Sequence, residues 1–149
     1  MSNHAMEAML IEWQCQKLVT RSVNLLDQRD WIALASCYTE DGILYRPSAP
    51  LVPIKGRDAI LHSFTSRPAK ETCHALTNVE TTVIDAFRAV VTSRVVLFSG
   101  EIKVDHCDSM VQANADVYIG RFIDDIICVS GEWRIAKRQG SIELQYKGA

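Results

Sequence analysis

His74 sits near the start of Glu71–Asp85, a stretch that reads as the first long strand of a curved sheet. An imidazole gains and loses its proton near neutral pH, so this position is a candidate for general acid–base chemistry. Read from the residue pattern alone, a histidine satisfied by backbone groups is the simpler account. Asp27 is the second candidate. It falls in the last turn of a predicted helix, where the macrodipole disfavours negative charge, and that placement asks for a compensating partner. A third group lies on a later predicted strand, where alternation sets Asn114, Asp116, Tyr118 and Phe122 on one side and Ala113, Ala115, Val117 and Ile119 on the other. The mixed polar and aromatic side is either a wet face or the lining of a ligand pocket. Asp116 is either a second acid–base group or a solvated strand acid. Two other groupings fail on geometry. His106, Cys107 and Asp108 are adjacent, so they cannot simply converge on a metal, and a polar hairpin tip explains them. Cys73 would face away from its neighbour His74, which argues against a Cys–His nucleophile. No metal site and no cofactor are expected.

The elements that must position these residues follow from periodicity. Ala8, Ile11, Cys15, Leu18, Ser22 and Leu25 recur in steps of three and four and predict an amphipathic helix from about Met6 to Asp27, with Ser2 or Asn3 as its cap. Asp30 caps a short second helix that places Trp31, Leu34, Ala35 and Tyr38 on one face. Thr39-Glu40-Asp41-Gly42 reads as a turn, with Asp41 serving it, before a short strand over Ile43–Tyr45. Pro47, Pro50 and Pro53 predict a loop or irregular edge over Arg46–Pro53. A third helix runs from Asp58 to about Ser66 and stops before Pro68. Long strands are predicted at Cys73–Asp85, Ala89–Val104, Val111–Ile126 and Glu132–Gln145, with turns at Ala86–Arg88, Asp105–Ser109 and Val129–Gly131. Such short connections require antiparallel neighbours. The class is therefore α+β, with three N-terminal helices on one face of an antiparallel meander.

Composition narrows the function classes. The chain of 149 residues is one domain's worth and can bury a sizeable core. Sixteen basic against eighteen acidic residues leave no basic footprint, so no nucleic-acid partner is expected. No apolar run long enough to cross a bilayer occurs and no signal-peptide pattern opens the chain, so no membrane partner is expected and a cytoplasmic location is the default. The five cysteines are widely spaced without a Cys-x-x-Cys pair, which fits reduced thiols.

Tyr38-Thr39-Glu40-Asp41-Gly42, Gly56-Arg57-Asp58-Ala59-Ile60, Cys73-His74-Ala75-Leu76-Thr77-Asn78 and Gly131-Glu132-Trp133-Arg134-Ile135-Ala136-Lys137-Arg138 together resemble the SnoaL-like group of the nuclear transport factor 2-like (cystatin-like) superfamily. The resemblance implies a strongly curved sheet forming a cone, with the helices over its open side, and a homodimer through the sheet's outer face. Its enzymes include scytalone dehydratase, bile-acid dehydratase, polyketide cyclases and ketosteroid isomerase, while ring-hydroxylating dioxygenase small subunits are non-catalytic members. By similarity to scytalone dehydratase, His74 is implied as the catalytic histidine, Asp27 as its acidic partner and Tyr45 as a carbonyl-polarising hydroxyl. Asn114, Asp116 and Tyr118 fall where substrate contacts are expected. Two departures are plain: Leu26 replaces the tyrosine before the acid, and Thr92–Val96 lacks a second histidine. Two functions follow as expectations. One is a cofactor-independent lyase or isomerase acting on a small, largely apolar carbonyl compound. The other is a binding or assembly module similar to a dioxygenase small subunit.

Overall fold

The computed structural model describes residues 1–102 and 110–149. Helix α1 (Asn3–Gln28) begins at Ser2, whose hydroxyl accepts from the Ala5 N–H at 3.1 Å, and buries Cys15, Val19, Ser22, Val23 and Leu25. Arg29 ends it in the left-handed conformation, φ 59°, returning its N–H to the last carbonyls. Helix α2 (Trp31–Ser36) is capped by Asp30 as expected. It is shorter than the periodicity suggests, because Tyr38 already belongs to the first strand, β1 (Tyr38–Arg46).

One expectation is corrected here and another is decided between its alternatives. Thr39–Gly42 is an irregularity inside β1 and makes no turn before it; the pairing register shifts between Tyr38 and Ile43. A side chain at Gly42 would meet the Thr39 carbonyl at 3.0 Å, so the tight path favours glycine. The proline-rich segment is the irregular edge of its two alternatives, a strand β2 (Ala49–Lys55) whose register with β1 shifts at Tyr45/Arg46. It survives because it lies at the sheet edge, where a missing N–H leaves no partner unsatisfied.

Helix α3 (Arg57–Thr65) follows, then β3 (Glu71–Asp85), β4 (Arg88–Gly100), β5 (Val117–Val129) and β6 (Glu132–Tyr146). These form one six-stranded sheet in the order β2-β1-β6-β5-β4-β3, antiparallel except where β1 runs parallel to β6. Strand β4 ends earlier and β5 begins later than alternation predicts. At Gly100 the returning chain passes so close that an added Cβ would lie 2.7 Å from the Gln112 carbonyl, and one bridge to Ala113 is all the pairing left there. The Asp105–Ser109 turn and the His106–Asp108 cluster lie outside the described residues.

The β5–β6 hairpin closes on Ser130 (φ 51°) and Gly131 (φ 82°), two left-handed residues as a type I′ connection needs. Register shifts at Thr77/Glu80, Ile119/Gly120 and Asp125/Ile126 bend the long strands around the helices. Leu34, Tyr38, Leu44, Ile60, Val91, Ile126 and Ile135 fill the space between sheet and helices together with the buried stripe of α1. Among the described residues no helix is long and apolar enough to cross a membrane.

Candidate functional site

The end of α1 and the start of β3 are stitched together by side chains. Arg29 donates to the Lys70 carbonyl at 3.0 Å and pairs with Glu71 at 3.3 Å, drawing the edge strand across the helix terminus. One turn back, Asp27 receives three hydrogen bonds. Thr72 Oγ1 donates to Oδ1 at 2.8 Å, the His74 backbone N–H donates to Oδ2 at 2.9 Å, and His74 Nδ1 lies 2.5 Å from Oδ1. An edge strand has unpaired N–H groups, and Asp27 satisfies one of them. The acid that opposes the helix dipole is thereby compensated.

Burial pushes the Asp27 carboxyl upward, but the hydrogen bonds from the His74 ring and backbone, the charge on that ring and the Thr72 hydroxyl outweigh it. The carboxyl is held below its ordinary value. With Nδ1–H directed at Asp27, the neutral imidazole presents Nε2 as its basic nitrogen, and Nε2 makes no hydrogen bond to a described residue. The His74 side chain is 12% exposed and that of Asp27 is 24%, so the pair is sheltered yet reachable.

The other expected site residues are distributed unevenly. Register puts His74, Leu97 and Tyr118 in one cross-strand row, so Tyr118 shares the helix-covered face with His74. Tyr45 alternates with the buried Leu44 and Arg46 and is aligned with Gln139 and Ile123, on the opposite face. Asn114 and Asp116 precede β5 and so lie outside the regular strand; Asn114 is exposed and bonds Ser99 through both backbone and side chain. The structure brings Asp27 and His74 together, brings Tyr118 to their face, and leaves Tyr45 away from them.

Two features of the same face were not anticipated. Arg138 on β6 donates from Nε and Nη2 to both carboxylate oxygens of Asp124 at 2.7 and 3.0 Å, and from Nη2 to Ser22 of α1 at 2.9 Å, with its guanidinium over Phe122. Desolvation works against both charges, and the adjacent Asp124 keeps Arg138 protonated. A second buried cation, Arg46, bonds Ser63 of α3 and has no such partner among the described residues. Alternation from Leu44 would have revealed its direction, had the stretch beyond it not read as a loop.

A groove of about 1040 Å³ runs between α1 and the β5–β6 turn, lined by residues including Trp13, Lys17 and Trp133. A smaller one of about 560 Å³ lies beside Thr39, Arg57 and Arg134. Neither includes Asp27 or His74.

Known structures share this arrangement of elements. A scytalone dehydratase candidate from Novosphingobium aromaticivorans superposes with a TM-score of 0.75 at 17% identity, over 97% of this chain and 92% of that one. Hexachlorocyclohexane dehydrochlorinase LinA, type 2, gives 0.80 at 17% identity, over 97% and 93%. An aromatic ring hydroxylase candidate from Novosphingobium aromaticivorans gives 0.72 at 18% identity, over 93% and 92%. At such identities the likeness establishes the fold. No curated protein matches the sequence. The model of the SnoaL-like domain matches residues 7–139, nearly the whole length, and the chain belongs to that family.

Proposed function

We propose that the protein is a cofactor-independent lyase or isomerase in which the Asp27–His74 pair removes a proton from the carbon α to a carbonyl. The observation that carries this reading is the Nδ1–Oδ1 contact at 2.5 Å, reinforced by the backbone bond that fixes the same carboxylate. His74 Nε2 takes the proton, the C–H electron pair moves toward the carbonyl oxygen, and Asp27 stabilises the resulting imidazolium. In a dehydration the electrons return to expel a β-hydroxyl, which leaves as water with the proton from Nε2. Tyr118, in the same cross-strand row about 10 Å from His74 across two strand spacings, is a substrate contact in this scheme. Tyr45 takes no part in it, because it faces the other side of the sheet. Dehydratase and dehydrochlorinase names among the structural neighbours support the reaction class.

The test is solvent-deuterium exchange at the α-carbon of a panel of small β-hydroxyketones, followed by proton NMR. His74→Ala should slow exchange at least about a hundredfold while remaining folded. Equal rates in the two proteins, or isolation of the chain as a tight complex with an oxygenase large subunit and no exchange activity, would replace this reading with the assembly-module one.

The outer face of the sheet is further proposed as a homodimer contact. Phe98, Leu144 and Tyr146 are exposed there, beside Val96, Ile119 and Val117 on the neighbouring strands.

A further inference from the structure

The buried guanidinium of Arg46 is a feature of the helix-covered face that the pair's chemistry does not explain. Arg46 is 6% exposed, at the end of β1. Nη2 donates to the Ser63 carbonyl at 2.6 Å and to the Ser63 hydroxyl at 2.8 Å, and the group lies 4.8 Å above the Phe64 ring. All these partners are neutral. Nε is buried without a partner, while Nη1 donates to no described residue and is not among the fully buried atoms. No carboxylate lies within salt-bridge distance among the described residues. The carbonyl end of α3 offers only about half an elementary charge.

An uncompensated buried charge is costly, and a fold retains one where a partner arrives to meet it. The contrast with Arg138 is informative, because that second arginine on the same face is fully matched by Asp124. Arginine is also the side chain whose planar fork fits a carboxylate.

The placement sets this cation on the same face of the sheet as the pair. Arg46 follows Leu44 on the helix-covered face, and Leu44 is linked through Arg138, Asp124 and Val91 to Thr81 of β3, the strand that also bears His74. Above the sheet, Phe64 stacks on Trp31 with centroids 5.5 Å apart, and Trp31 lies four residues beyond Asp27. An aromatic pair thus joins α3, which holds Arg46, to α2, which begins three residues after α1 ends.

We infer that Arg46 binds a carboxylate on the substrate, so that the molecule acted on is a small keto acid or related carboxylate with an apolar body. This rests on the reading of Asp27 and His74 as the proton-handling end of the same face. Benzoate is the probe and benzamide its neutral control, titrated into the ¹⁵N-labelled protein while the arginine Nε–H signals are observed. The Arg46 signal, identified by its absence in Arg46→Lys, should shift with benzoate and not with benzamide. Arg46→Gln should raise the benzoate Kd at least about tenfold, whereas His74→Ala should leave it within about twofold. Loss of benzoate binding in His74→Ala but not in Arg46→Gln would place the anion on the imidazole and overturn the inference without touching the base. No response of any arginine Nε–H signal in the wild-type protein would overturn it as well, and that readout does not depend on any variant folding. Failure of the deuterium exchange with intact benzoate binding would instead count against the proton-transfer reading alone.

Discussion

The Asp27 carboxylate does two things at once: it fixes the imidazole of His74 and it ties off the free edge of β3. The two roles separate under acid. The carboxyl is held below its ordinary value in the folded protein, so its contribution to stability is fully present above the unfolded value of about 3.9 and is lost as pH falls through the lower folded value. Thermal unfolding of the wild type between pH 5 and pH 3 should therefore show a steeper loss of Tm than Asp27→Asn, which has no proton to take up at this position. Parallel curves would show that the carboxylate adds nothing to stability. Both residues could be singled out from the sequence, Asp27 through its conflict with the helix dipole and through the resemblance, His74 as a titratable side chain whose role came from the resemblance. Thr72 was not, since a threonine in a strand is unremarkable until its hydroxyl has a partner. Tyr45 was misplaced for a related reason. Its role came from resemblance, while its direction is set by alternation from Leu44, which is buried.

At the scale of elements, the bulge between Asp125 and Ile126 decides which cation is buried. An unbroken hairpin from Ser130-Gly131 would set Lys137 opposite Asp124; the extra residue on β6 brings Arg138 there and turns Lys137 outward to Asp125. A one-residue shift in a strand moves every side chain to the other face, so the sequence could not reveal this pair without the bulge. The same limit explains why strand existence was legible while the ends of β4 and β5 and the edge strand β2 were not: close chain approaches and edge position overrode local propensity. Asp124→Asn leaves Arg138 buried without its counter-charge and should cost about 3–5 kcal/mol, read from urea unfolding at pH 7. The double replacement Asp124→Leu with Arg138→Met should recover most of that loss, because a matched apolar pair avoids the desolvation of both ions. If the double variant is no more stable than Asp124→Asn, the pair does more than balance charge.

The whole molecule divides its apolar surface between two faces of one sheet. The inner face is consumed by the helices and the candidate site. On the outer face Leu144 is 60% exposed and Tyr146 is 65% exposed, next to Phe98 at 42%. These three lie toward the end of the sheet that also bears His74, since Leu97 pairs with both His74 and Tyr118. A contact there would stiffen β4 and β5 beneath the site without entering it. Beside the patch Arg94 and Glu143 pair at 2.7 Å, so those two charges are already matched within the chain. Leu144→Asp would set a carboxylate into that contact. By light scattering on a sizing column, the wild type should elute as a dimer and Leu144→Asp as a monomer with an unchanged circular dichroism spectrum. A wild type that stays monomeric at about 100 µM, well above micromolar dissociation constants, would remove the sheet-face dimer. The Asp27–His74 site lies entirely within one chain and would stand without it.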